Sequence, residues 1–173
     1  MKKLILLRHA KSSWKDAQLS DHDRPLNNRG RLASPVIADW LADLDHIPDH
    51  VFCSTSVRTR ETYGLMHSAV DRLPPAEFEA RLYHAAPDTM LDLIRTAPES
   101  SRTVMLIGHQ PGLSAMARIL CRERASRRCE RAFEHFPTAA AAVLEFDADR
   151  WADVDYAMAR FVDFAVPREL MDA

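Results

Sequence analysis

Short apolar runs alternate with helix-length segments along the whole chain, and this alternation constrains the fold more than any other feature. Residues 3–8 (KLILLR) form a continuous apolar run, as expected of a strand buried on both faces. Leu32, Val36, Ile37, Trp40, Leu41 and Leu44 follow at spacings that fit one helical face. Pro35 interrupts this stretch, so either Ser34 caps a helix with Pro35 in its first turn or a longer helix is kinked there. Residues 49–54 read as a second strand and 57–70 as a second helix. Residues 77–82 read as a weaker third strand and 88–96 as a helix. Residues 103–107 (TVMLI) read as an interior strand, followed by a helix over 111–120 with Pro111 in its first turn. Two last strands are expected at 139–146 and 156–164, and a charged surface loop at 122–136. The expectation is a single α/β domain over residues 1–173, with a mostly parallel central sheet and helices on both faces.

Composition narrows the function classes. The 173 residues carry 23 basic and 25 acidic side chains, a formal charge of −2, so no global field draws the chain to nucleic acid or anionic lipid. Arg118, Arg122, Arg124, Arg127, Arg128 and Arg131 make a basic stretch at 118–131. Glu123, Glu130 and Glu134 are interleaved with it and no aromatic platform accompanies it, so it reads as a solvated loop. The three cysteines are too few for a disulfide framework, and no Cys/His spacing suggests zinc. The apolar run near the start is shorter than a signal-peptide core, and no segment approaches the roughly 18 apolar residues of a membrane span. A cytoplasmic protein without nucleic-acid or membrane partners is expected. Trp14, Trp40 and Trp151 read as core or partly buried aromatics.

In open α/β sheets, functional residues collect beyond the carboxyl ends of the strands. Here the first strand ends in Arg8-His9. The second leads through Ser54-Thr55-Ser56 to Arg58, and the fourth ends in Gly108-His109. Two arginines and two histidines at one sheet edge make an electropositive, donor-rich cluster whose natural guest is an oxyanion, above all phosphate. A neutral imidazole in it is a nucleophile toward phosphorus, and flanking arginines keep it unprotonated.

The segments carrying these residues resemble, in order, those of the histidine phosphatase (phosphoglycerate-mutase-like) superfamily. Leu7-Arg8-His9-Ala10-Lys11-Ser12 resembles its Arg-His-Gly signature, and Asp23-Arg24-Pro25-Leu26-Asn27-Asn28-Arg29-Gly30 its RPL..RG segment. Ser54-Thr55-Ser56-Val57-Arg58-Thr59-Arg60-Glu61-Thr62 is similar to its SSPxxRxxQT segment, and Ile107-Gly108-His109-Gln110-Pro111-Gly112-Leu113 to VGHNPGL. The last form and the short chain point to the small branch typified by the phosphohistidine phosphatase SixA. The resemblance implies that His9 is the phosphorylated nucleophile and that Arg8, Arg58 and His109 bind the phosphoryl group without a metal or other cofactor. Ala10 replaces the signature glycine, and Thr55-Ser56 replaces Ser-Pro. Many family members take a carboxylic acid from the segment after the third strand as proton donor. The candidates there are Glu77, Glu79, His84 and Asp88, and a phosphoramidate leaving group needs little such help.

Only about 20 residues separate the third and fourth strands, short for a lid, so the site is expected to be open. A phosphorylated protein, carrying phosphohistidine, is the first expectation for substrate. A small phosphomonoester or phosphoanhydride is the alternative enzyme substrate. A non-catalytic phosphate-binding docking module is the alternative from another class, disfavoured by the intact Arg8, His9, Arg58 and His109.

Overall fold

A computed structural model describes residues 1–123, 127 and 130–172. The strands are β1 (Lys2–Arg8), β2 (His50–Ser54), β3 (Ala76–Glu79), β4 (Thr103–Gly108), β5 (Ala141–Phe146) and β6 (Ala159–Ala165). The helices are α1 (Asn28–Asp43), α2 (Val57–Ala69), α3 (Pro87–Ile94), α4 (Gly112–Leu120), α5 (Arg131–Glu134) and α6 (Pro167–Met171). One six-stranded sheet runs β3-β2-β4-β1-β5-β6. The first four strands of that order pair in parallel, and β5 and β6 each pair antiparallel.

Alternation along the central strands builds two cores. Leu4 and Leu6 of β1, Phe52 of β2, and Val104 and Leu106 of β4 pack with α3 and α4 on one face. Ile5, Leu7, Val51, Cys53, Met105 and Ile107 pack with α1 and α2 on the other. Burial on both faces is why β1 and β4 appear as unbroken apolar runs.

Several expectations need correction. α1 is the longer of the two alternatives, capped by Asn27, whose side chain accepts from Gly30 N, with Pro35 inside the helix. Its buried stripe is Gly30, Ser34, Ile37, Ala38 and Leu41, so Leu32 and Leu44 face water. β3 stops at Glu79 and residues Ala80–Leu82 form a 3₁₀ turn, because an exposed edge strand carries little apolar pattern. α4 starts at Gly112, one residue past a cis Gln110–Pro111 peptide. Trp14 is 76% exposed, not core, whereas Trp151 is fully buried. The expected loop at 122–136 ends in α5, with Ala132, Phe133 and Phe136 buried. Arg124, Arg128 and Cys129 lie outside the described residues. No helix among the described residues is long and apolar enough to cross a membrane.

Candidate active site

The parallel register fixes the centre of the site. Arg8 of β1 pairs with Gly108 of β4, so the next residue of each strand, His9 and His109, emerges at the same edge. Their ring centroids are 5.3 Å apart. β2 lies on the other side of β4 and ends at Ser54, whose hydroxyl lies 2.8 Å from His109 Nε2. Ser56 caps α2 by accepting from Thr59 N, and the first turn of that helix presents Arg58. Thr59 Oγ1 ties the cap back to the Ser54 carbonyl at 2.7 Å, so the approach to Arg58 is rigid without the family's proline. The structure therefore brings Arg8, His9, Arg58 and His109 together, all but Arg8 buried.

Hydrogen bonds fix both imidazole tautomers. His9 Nδ1 sits 2.7 Å from the Ala10 carbonyl, which can only accept, so Nδ1 carries the proton and the Nε2 lone pair stays free. Arg58 Nη2 donates to His109 Nδ1 at 3.4 Å, and His109 Nε2–H then donates to Ser54 Oγ. Burial pushes the His9 pKa down to about 3, with Arg58, Arg8 and Arg24 adding to the effect. Burial is also the main cause at His109, whose pKa falls to about 2 with help from His9, Arg58 and His84. Desolvation thus outweighs the arginines as the reason His9 is neutral.

Main-chain groups hold His9 in place. His9 N donates to the Gly108 carbonyl at 3.1 Å, and Ala139 N donates to the His9 carbonyl at 3.0 Å. Ala139 adopts φ 59°, a left-handed conformation uncommon outside glycine. Arg8 Nη1 donates to the Phe136 carbonyl at 2.8 Å. Ala10 N donates to Thr62 Oγ1 at 3.0 Å, linking the loop after His9 to α2. Ala10 is fully buried and has no positive φ, so nothing there demands the family's glycine. Gly30 is demanded: a Cβ at that position would lie 2.2 Å from the Lys11 carbonyl oxygen. Its closeness seats α1 against the loop after His9.

The four proton-donor candidates separate. Glu77 turns to His50 at 3.0 Å, Glu79 pairs with Arg81 at 3.0 Å, and Asp88 accepts from the Tyr156 hydroxyl. His84 stands at the site, its ring 5.3 Å from that of His109, in a left-handed conformation at φ 53°. Gly112 lets this loop approach α4, since a Cβ there would be 2.5 Å from the Ala85 carbonyl.

Sequence reasoning missed Asp21. Its Oδ2 accepts from Arg58 Nη2 at 3.0 Å, lies 3.2 Å from His84 Nε2, and accepts from the Tyr83 hydroxyl. Its Oδ1 accepts from Arg24 Nη2 at 2.9 Å, and its carbonyl from Arg58 Nη1 at 2.6 Å. These donors, the Tyr83 hydroxyl foremost, hold the Asp21 carboxyl well below the usual carboxylate range. An Asp three residues before the arginine of the RPL segment was the available signal. Arg60, two residues past Arg58, points away: its Nε donates to the Thr55 carbonyl and its guanidinium stacks over Phe78. Among the described residues, no group of three or more His, Cys, Asp or Glu side chains is placed to hold a metal ion.

A neutral, buried imidazole with a free Nε2 among guanidinium groups, at the carboxyl edge of a parallel sheet, defines a phosphoryl-transfer site. Residues 4–86 match the histidine phosphatase superfamily (branch 1). The chain is 41% identical over 165 residues to an uncharacterized protein of Mycobacterium tuberculosis (strain ATCC 25618 / H37Rv), covering 94% of this chain and 100% of that one. A solved structure from Agrobacterium tumefaciens, assigned as the phosphohistidine phosphatase SixA, superposes with a TM-score of 0.77 at 30% identity, over 96% of this chain and 99% of that one. Another structure so assigned, from Nakamurella multipartitia, gives 0.83 at 28% identity, over 96% of each chain. The chain belongs to the histidine phosphatase superfamily and is a phosphohydrolase of its SixA-like branch.

Proposed function

We propose that the protein removes the phosphoryl group from phosphohistidine on protein substrates, through a phosphohistidine formed on its own His9. The free Nε2 of neutral His9, with Nδ1–H fixed on the Ala10 carbonyl, carries the reading. In the first step the Nε2 lone pair attacks phosphorus, the P–N bond of the substrate breaks, and the departing imidazole keeps the electron pair and takes up a proton. In the second step water attacks the phosphorus, the bond to His9 Nε2 breaks, and inorganic phosphate leaves. Arg8 and Arg58 neutralise the charge on the phosphoryl oxygens, the task a metal performs elsewhere.

Two features favour phosphohistidine over a phosphomonoester. Asp21, the carboxyl group at the site, is held ionised by its donors and is a poor proton source for an alkoxide. A phosphoramidate leaves as imidazole and needs less acid help, which the half-exposed His84 at the rim supplies. The connection beside the site is also short: residues 80–102 between β3 and β4 hold a 3₁₀ turn and the eight-residue α3, and Trp14, in the loop after His9, is exposed. So short a connection leaves little chain to form a lid, which suits a protein-borne substrate. A panel of phosphohistidine protein, phosphoserine peptide and sugar phosphates tests this. Phosphohistidine protein is expected to give the highest kcat/KM by at least tenfold, and a sugar phosphate in first place would overturn the substrate assignment.

A further inference from the structure

Arg24, in the RPL segment, has no part in the steps above, yet it is built into the same pocket. Residues 24–27 run antiparallel to the chain just after His9. Ser13 N donates to the Pro25 carbonyl at 2.8 Å, Asn27 N to the Lys11 carbonyl at 3.0 Å, and Ser12 bridges Leu26. This lays Arg24 against the nucleophile loop, where Nη1 donates to Ser12 Oγ and Nη2 to Asp21 Oδ1. Arg24 is only 7% exposed, and Trp14 covers its guanidinium at 3.5 Å from the ring centroid.

A guanidinium this deep is expected to have every N–H matched. Among the described residues, the buried side-chain nitrogens and oxygens without a hydrogen-bond partner are the Nε atoms of Arg8, Arg24 and Arg58. Two of these belong to the arginines assigned to the phosphoryl group. The third shares their signature and shares the Asp21 carboxylate with Arg58, Oδ1 facing Arg24 and Oδ2 facing Arg58. We propose that Arg24 is a third anion-binding guanidinium of this site, donating through Nε–H to a phosphoryl oxygen of the substrate. The inference rests on the phosphoryl-transfer reading of the pocket. Three guanidinium groups against one Asp21 carboxylate leave a net charge of +2 with His9 and His109 neutral, which suits a dianionic phosphoryl group.

The alternative role is mechanical: Arg24 could serve only to latch Asp21. Two measurements separate the roles. In the first, inorganic phosphate is titrated into the ¹⁵N-labelled protein and the arginine Nε–H resonances are followed. Those of Arg8, Arg24 and Arg58 are expected to move together. If Arg8 and Arg58 respond and Arg24 does not, the inference is wrong. If none responds, the phosphoryl-site reading falls and the inference with it. In the second, Arg24→Lys is expected to weaken phosphate binding about tenfold, the loss of one charge-assisted hydrogen bond, and to lower kcat more than it raises KM. Asp21→Asn removes the latch but keeps the guanidinium, so phosphate is expected to bind at least as tightly as to wild type. Phosphate affinity of Arg24→Lys within twofold of wild type, or an equal loss in both variants, would overturn the assignment.

Discussion

On the parallel half of the sheet, β1, β2 and β4 deliver side chains to the site, whereas the lead-in to β5 on the antiparallel half delivers main-chain atoms. His9, Ser54 and His109 follow or end parallel strands, and Arg58 opens the helix after β2. From the other half come the Phe136 carbonyl on Arg8, the Ala139 amide on the His9 carbonyl and the Ala140 carbonyl on Arg8 N. The first half therefore depends on residue identity. The second depends on backbone position, which many side chains can secure.

Substitutions can break this contrast or sharpen it. The largest effect is expected on the parallel half. Arg8→Ala and Arg58→Ala should each lower kcat by about 10²–10³, the usual loss for one donor to a developing anion. Lysine should restore only part, since it keeps the charge and loses the fork. Arg60→Ala, two residues along the same helix, should stay within about twofold. If Arg60→Ala proves the more damaging in steady-state kinetics, Arg58 is misassigned.

Next comes acid stability. His9 and His109 have folded pKa values near 3 and 2, below the ordinary histidine value, so the unfolded chain takes up their protons first as pH falls. Stability is thus complete above about pH 6.5 and declines below it, by up to about 1.4 kcal/mol per pH unit for each extra proton. Urea unfolding between pH 7 and 4.5 should show this slope, and His109→Gln should remove its share. A variant slope equal to that of wild type would contradict the burial of a neutral His109.

On the antiparallel half, Phe136→Leu trims a fully buried ring but keeps the carbonyl that holds Arg8. It should reduce stability by about 1–2 kcal/mol while kcat/KM changes less than threefold. A hundredfold loss of kcat/KM would show that the side chain, not the main chain, positions Arg8. The smallest effect is expected from a chelator. Incubation with EDTA should leave the rate unchanged, because Arg8 and Arg58 are proposed to supply the charge, and strict dependence on added magnesium or zinc would reject that division of labour.

The same contrast explains what the sequence revealed. β1 and β4 are legible almost to the residue, because strands buried on both faces must be apolar throughout. Arg8, His9, Arg58 and His109 are legible because each sits in a motif at a strand end. Ser54 stood in one of those motifs, but its pairing with His109 depends on β2 and β4 lying side by side. Asp21 and the Phe136 carbonyl reach the site from a 3₁₀ turn and from a segment that resembled a loop. Trp14 departs from the core expectation for a related reason: an aromatic that caps a buried arginine has the composition of core and the exposure of surface.

The central claim is that His9 Nε2 becomes covalently phosphorylated. Mixing the enzyme with ³²P-labelled phosphohistidine protein, quenching in alkali within milliseconds and mapping the label tests it most directly. The label should reside on His9, be stable to base and labile to acid, and decay at a rate no slower than turnover. His9→Ala should carry no label and show no turnover while keeping its fold by circular dichroism. Turnover of His9→Ala within threefold of wild type, a loss of only about 0.65 kcal/mol in barrier, or label on another residue at full activity, would contradict the account.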